Sequence, residues 1–382
     1  MTLQFDPQDE LVCIGSHRPL ADGGSVLPPI AQASLFRQPD METLFDGLSR
    51  EHQVAVYSRG TNPTLSVLED ALARLERGEA CKGFASGMGA IAASLTAFLE
   101  SGDHVLFAGT IYGPTIELAQ RLEGYGVSWS RAEATDLDGI AAQLRPETRV
   151  LYMESPGSML FGLLPVADLA TMARDRGIIT MLDNSVATPL LQKPLELGVD
   201  LVLHSCSKYI GGHSDLVGGA VVGSVEHIER IFRKGLLLLG AAMPPLTAWL
   251  CLRGLMTLPV RLAKHHADAL SLASWLAEHP RVRRVFHPAL TNDPLLARQM
   301  RGHSGLFSFE LDDGFADAIV VADRLRTFGR AVSWGGPESL VMTGHKVDPA
   351  EAAPALPASL LRLSVGLEGV ATLQEDLGRA LG

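Results

Sequence analysis

Lysine is the charged residue this chain uses least, with six against twenty-six arginines in 382 residues. Cysteine is scarcer still. The four, Cys13, Cys81, Cys206 and Cys251, include no C-x-x-C pair. That excludes a disulfide framework and the usual zinc spacings, and the four read as reduced thiols of a cytoplasmic protein with no metal site. No uninterrupted apolar run reaches membrane-spanning length. The opening "MTLQFDPQDE" is acidic and has neither a basic n-region nor an apolar h-region, so it is not read as a secretory signal. The net charge of −11, with no basic stripe and no long run of one sign, argues against a nucleic-acid partner. There is no internal repeat and no low-complexity linker. No G-x-G-x-x-G follows an expected strand with an acidic residue beyond it, which weighs against a dinucleotide-binding dehydrogenase.

What is present suits a large globular enzyme. Hydrophobic residues make up 47% and charged residues 20%, enough for a sizeable core and for two domains. Residues 1–55 read as an irregular arm, since "GGSVLPPIAQ" discourages any long helix. In "TNPTLSVLEDALARLERG", Asn62 can cap, Pro63 suits the first turn, Leu65, Leu68, Leu72 and Leu75 share a face, and Gly78 can end the helix. Apolar strands follow at 104–108, 149–153, 177–182, 200–204 and 218–223, with helices at 114–124 and 161–176 between them. The alternation predicts an α/β domain with a mostly parallel sheet.

The residues after those strands carry the chemistry. In open α/β sheets ligands sit outside the carboxyl ends of the strands, which brings Asp183 and Lys208 to one crevice. Each alone has a plainer reading, as a helix-capping aspartate and a solvated loop lysine. Yet in a chain that otherwise prefers arginine, Lys208 stands between small hydroxyl and thiol residues and a glycine-rich turn. An amine can lose its proton and act as a nucleophile, which a guanidinium cannot. A nucleophilic lysine with a fixed carboxylate suits pyridoxal phosphate: the amine takes the aldehyde and the carboxylate keeps the pyridine nitrogen protonated. The phosphate then needs an anion site, which Ser86, Gly87 and Met88 offer at the start of an apolar helix. The ring needs a flat partner, for which Tyr112 is the candidate. The substrate carboxylate needs a cation, for which Arg362 is the candidate.

Together these segments resemble the pyridoxal-phosphate enzymes of cysteine and methionine metabolism, within the aspartate-aminotransferase (type I) fold group. The resemblance runs from residue 26 to residue 368. It is carried by "YSRGTNPT" (57–64), "SGMGA" (86–90), "ESPGS" (154–158), "LDN" (182–184), "HSCSKYIGGHSDLVGG" (204–219) and "SWGGPESL" (333–340). It implies an arm (1–55), a large cofactor domain with a mostly parallel central sheet (56–250) and a smaller C-terminal α/β domain (251–382). It makes Lys208 the Schiff-base lysine and Asp183 the partner of the pyridine nitrogen. Ser86, Gly87, Met88, Ser205 and Ser207 would hold the phosphate, and Tyr112 would stack on the ring and assist proton transfer. Tyr57 and Arg59 would reach the phosphate of a neighbouring subunit, with Tyr57 also bordering the substrate, in a homotetramer built as a dimer of dimers. Ser333, Trp334 and Arg362 would receive a sulfur-containing amino acid.

Within the family, "ESPGS" and "SWGG" look most like cystathionine β-lyase. Relatives acting at the γ-carbon commonly carry asparagine where Ser158 stands and leucine where Trp334 stands. "YSRGTNPT" looks more like those γ-acting relatives, and Ser207 replaces a usual threonine while keeping the hydroxyl. The expectation is a β-lyase releasing homocysteine, pyruvate and ammonia from cystathionine. A γ-lyase or γ-synthase on the same scaffold is the alternative, and a non-catalytic relative that kept the fold is a third.

Overall fold

The structure is a computed structural model, and it describes all residues except 1–2, 17, 19–24, 133–134, 313–314, 345–355 and 358. Seven strands form the larger sheet: β1 (Ala80–Phe84), β2 (His104–Ala108), β3 (Ser128–Arg131), β4 (Thr148–Glu154), β5 (Ile179–Asp183), β6 (Leu201–Ser205) and β7 (Gly219–Gly223). Their order is β1-β7-β6-β5-β4-β2-β3, and only β7 runs antiparallel to its neighbours. The central strands are buried on both faces and so read as continuous apolar runs rather than alternating ones. The sequence reading did not include β1 and β3, the two edges. "ACKGF" contains a lysine and a glycine, and "SWSR" is short and polar.

Helices begin where capping chemistry allows. The Asn62 side chain accepts the Thr64 amide at 3.0 Å, and the helix Pro63–Glu76 follows. It ends one residue earlier than expected: Arg77 takes the left-handed conformation (φ 62°), and the Gly78 amide returns to the Ala73 carbonyl at 2.8 Å. The helix expected over 161–176 is confined to Val166–Arg174, because Pro165 fixes its start. The helix expected over 114–124 is Gly113–Glu123. The arm is not wholly irregular. It contains Pro7–Cys13 and Met41–Ser49, whose first-turn amides are capped by the side chains of Asp6 and Asp40; these short helices pass the proline-rich stretch on either side.

The helix Pro245–Ala277 links the two sheets and runs across residue 250. By length and composition alone it could cross a membrane. However, Leu252, Leu255, Leu258 and Leu262 join one core, and Ala269, Leu272 and Leu276 join another. That marks a core helix. Buried Arg261 donates to the carbonyls of Tyr209 (2.9 Å) and Gly254 (2.8 Å), tying it to the segment after Lys208. The second sheet has the order β10-β11-β12-β9-β8, from β8 (Val282–Phe286), β9 (Leu306–Leu311), β10 (Gly329–Arg330), β11 (Leu340–Thr343) and β12 (Leu360–Ser364). Apart from β10–β11 its pairings are antiparallel.

Candidate active site

The carboxyl ends of β4, β5 and β6 open into a cavity of about 500 Å³, closed on its other side by residues 331–334 of the second sheet's connections. Glu154 and Asp183 are register partners in the parallel β4–β5 ladder, so both carboxyls meet at its floor. Lys208 follows β6 by three residues. Its Nζ donates to Ser333 Oγ at 2.8 Å and stands 4.5 Å from the Trp334 ring centroid. Ser333 holds φ 91°, a costly backbone state for a residue with a Cβ. A Cβ on Gly335 would lie 2.7 Å from the Tyr209 amide, so the loop rests directly on the lysine segment.

Burial sets the charges. It lowers the Lys208 amine from 10.5 to about 8, assisted by the nearby Arg362 guanidinium and opposed by Asp183. The Asp183 carboxyl is raised by burial, against hydrogen bonds from Ser185 and the attraction of His204 and Lys208. Glu154 is raised further, by burial and then by the Asp183 charge, although the Tyr112 amide donates to its Oε1 at 2.7 Å. A cation placed against this pair would restore a carboxylate that burial otherwise disfavours.

Arg362, on β12, is buried and reaches in beneath Trp334. Its guanidinium donates to the carbonyls of Ser158 (3.4 Å) and Ser333 (3.3 Å), with Cζ 5.2 Å from the Trp334 ring centroid. Those are weak acceptors for a buried cation, and burial lowers its pKa from 12.5 to about 10. The Trp334 indole thus lies within reach of two cations.

The donors also fit a phosphate. The Ser86 side chain caps the helix Gly87–Phe98 by accepting the Gly89 amide at 2.9 Å. The Gly87 and Met88 amides, earlier in the first turn, have no intrahelical acceptor. A Cβ on Gly87 would sit 3.3 Å from Ser205 Oγ, which places that hydroxyl beside these amides. Ser207 is partly engaged, its Oγ accepting the Gly218 amide at 3.1 Å. An anion cradle, a reactive amine and a carboxyl floor in one cavity are what pyridoxal phosphate requires.

Ten of the thirteen residues expected from the sequence line this cavity: Tyr112, Asp183, Lys208, Ser333 and Trp334, with Ser86, Gly87, Met88, Ser205 and Ser207 in the cradle. Arg362 lies just behind it. Tyr57 and Arg59 are exposed on the surface and do not line the cavity of their own chain. Two further groups belong to the site without having been singled out. Glu154 ends a strand as Asp183 does, and that position was the available signal. Ser185, whose Oγ accepts the Ser205 amide at 2.6 Å and whose own amide donates to Asp183, gives no sequence signal.

Fold and cavity together define a pyridoxal-phosphate enzyme of the type I architecture. The family model described as "Cys/Met metabolism PLP-dependent enzyme" matches residues 10–382, and the chain belongs to that family, with pyridoxal 5′-phosphate as its cofactor. It is similar to the L-methionine γ-lyase of Pseudomonas putida, 39% identical over 99% of this chain and 94% of the relative. It is also similar to the cystathionine β-lyase of Coxiella burnetii, 36% identical over 94% of this chain and 93% of the relative. Among solved structures, metB from Corynebacterium glutamicum superposes with a TM-score of 0.91 at 30% identity, covering 99% of both chains.

Proposed function

We propose that this enzyme is a cytoplasmic carbon–sulfur β-lyase that converts L-cystathionine and water to homocysteine, pyruvate and ammonia. The observation that carries the reading is the buried Trp334 indole, whose ring centroid lies 4.5 Å from Lys208 Nζ and 5.2 Å from Arg362 Cζ. β-Elimination needs one proton removed, from Cα, before the Cβ–S bond breaks. γ-Elimination needs a second deprotonation, at Cβ, and room for the longer side chain to turn toward a base. A bulky ring beside the carboxylate site restricts that turn, a positioning effect.

Bound pyridoxal phosphate supplies the aldehyde that Lys208 engages and the sink for the electron pair left at the substrate α-carbon. The remaining work falls to side chains. Arg362 trades two weak carbonyl contacts for the substrate carboxylate, with the Ser333 hydroxyl beside it. Lys208, near pKa 8, takes the α-proton as its free base. The Cβ–S bond breaks, the sulfur leaves as a thiol after gaining a proton, and water releases the nitrogen as ammonia and the three carbons as pyruvate. Tyr57 and Arg59, exposed here, reach the phosphate of a partner subunit in a homotetramer with shared sites.

The γ-lyase reading draws support from the P. putida relative's 39% identity. Product analysis separates the two. With L-cystathionine we expect homocysteine and pyruvate, and Trp334→Leu lowers β-elimination at least tenfold while leaving the bound-cofactor spectrum unchanged. Cysteine and 2-oxobutyrate as main products would instead establish the γ reading.

A further inference from the structure

Among the lysines of the described residues, Lys82 is the most deeply buried, 1% exposed on the edge strand β1. Its Nζ lies 3.3 Å from the Glu69 carboxylate, 3.3 Å from Thr61 Oγ1 and 5.6 Å from the Phe232 ring centroid. Glu69, on the helix Pro63–Glu76, also accepts the Gly83 amide at 2.9 Å. Burying an ammonium costs several kcal/mol unless its partners are well placed. None of these groups lines the cavity, so the catalytic site of this chain gives no reason for the cost.

The contact to Thr61 does. Its hydroxyl donates to the Glu51 carbonyl at 2.7 Å. Its amide and that of Gly60 both donate to the Tyr57 carbonyl, at 3.3 and 2.9 Å. Gly60 approaches Glu51 so closely that a Cβ would lie 2.9 Å from the Glu51 carbonyl oxygen. The turn 57–61 is therefore pinned from beneath by Thr61, and Thr61 is pinned by Lys82. On the outer side Tyr57 and Arg59 project away from their own chain, the guanidinium carbon 5.4 Å from the tyrosine ring centroid.

We infer that the buried Lys82–Glu69 pair, acting through Thr61, is a positioning device for Tyr57 and Arg59, and so serves the neighbouring subunit's cofactor rather than its own. The inference rests on the shared-site reading given above. A rival path exists within the chain. Lys82 is two residues from Phe84, which pairs with Gly219, and Gly219 abuts the Ser86–Gly87 backbone. The two paths predict opposite outcomes in mixed dimers.

The test uses full-length holoenzyme. A Lys82→Met homodimer should lose at least tenfold in affinity for pyridoxal phosphate. In a mixed dimer with Lys208→Ala, the single functional site takes its lysine from the Lys82→Met subunit and its Tyr57–Arg59 turn from the other. That site should regain wild-type KM and cofactor affinity, at half the wild-type activity per dimer. Thr61→Val, which removes only the link, should behave alike and serves if Lys82→Met does not fold. Arg59→Ala mixed with Lys208→Ala is the control. If the control recovers but the Lys82→Met and Thr61→Val mixtures keep their homodimer defects, Lys82 acts within its own chain and the inference is overturned. Homodimers of both variants matching wild type would overturn it as well. If the control fails after proven subunit exchange, the shared site itself is wrong and the inference falls with it.

Discussion

The amine of Lys208 offers a quantitative test that needs no turnover. Its drop from 10.5 to about 8 in the cofactor-free chain corresponds to roughly 3 kcal/mol against the charged form. At pH 7 about 10% of the amine is then free base, against about 0.03% for an ordinary lysine, roughly a 300-fold gain in reactive form. Burial contributes most and Arg362 next. Lys208 Nζ and Arg362 Cζ both face the Trp334 ring, at 4.5 and 5.2 Å from its centroid, so the two cations stand no more than about 10 Å apart. At an effective dielectric of about 20, unit charges at that distance repel by about 1.7 kcal/mol, a little over one pH unit of titration. Removing the cation removes its repulsion, so Arg362→Met should raise the Lys208 pKa to about 9. It should not return to 10.5, because burial persists. Arg362→Lys keeps the charge and should stay near 8. The assay is NMR titration of apoenzyme carrying ¹³C-dimethylated lysines, where six lysines give a resolvable set and Lys208→Arg assigns the signal. A wild-type value of 10 or above refutes the burial argument. An unchanged value in Arg362→Met refutes the electrostatic one.

Two further outcomes test the scaffold. A Cβ on Gly219 would fall 2.3 Å from the Ser86 carbonyl oxygen and 2.8 Å from the Gly87 amide, so Gly219→Ala must push β7 off the anion cradle. It should cost about 1–3 kcal/mol of stability and weaken cofactor binding tenfold or more by absorbance titration. Gly162→Ala, with nothing within 4 Å, should leave binding intact, and equal effects would sink the cradle assignment. Burial holds His265, His287 and His303 at about 4, 3 and 2, below the ordinary 6.5. Below pH 6.5 the unfolded chain takes up protons that the folded chain refuses, so stability falls as pH drops from about 6.5 toward 4, by about 1.4 kcal/mol per pH unit per histidine. The raised carboxyls Glu154 and Asp183 oppose this. Urea midpoints should still fall between pH 7 and pH 5, and less steeply in His303→Gln. A profile identical in the two proteins would refute the claim.

The large sheet was legible because its central strands are long apolar runs punctuated by polar ends. β1 and β3 were not, because edge strands need not be apolar on both faces, and β1 spends a core position on Lys82. The short arm helices were hidden for another reason. Each is set by one capping aspartate, Asp6 or Asp40, and a single cap beside a proline-rich stretch does not overcome the local pattern. The cavity-lining residues named from sequence are those that follow strands or open a helix, positions fixed by topology. Ser185 escaped because its part is to bond the backbone of a neighbouring strand, which no spacing within one segment encodes. Ser333 itself was named through the family resemblance, but its left-handed backbone was not foreseen, for the same reason: its φ of 91° accompanies the loop resting on Tyr209.

The choice between β- and γ-elimination sits at a different level of legibility. The atoms that accept the α-proton and hold the cofactor come from strand ends of the large sheet, and either reaction needs them. Under the proposed β-lyase reading the discrimination is made on the opposite wall, by Ser158 and Trp334. Neither position touches the proposed phosphate cradle, and each acts by volume and by what it leaves Arg362 to bond. Among the described residues Arg362 rests on the Ser158 and Ser333 carbonyls, not on a carboxylate. It is held in place yet poorly satisfied, which favours exchange for a substrate carboxylate. On the same reading, Trp334 fixes how the rest of the substrate departs from that anchor. A change at Trp334 can therefore redirect the bond that breaks without altering the amine that starts the reaction. That independence is why overall identity to γ-acting relatives does not decide the reaction, and why the product analysis of the wild type and of Trp334→Leu does.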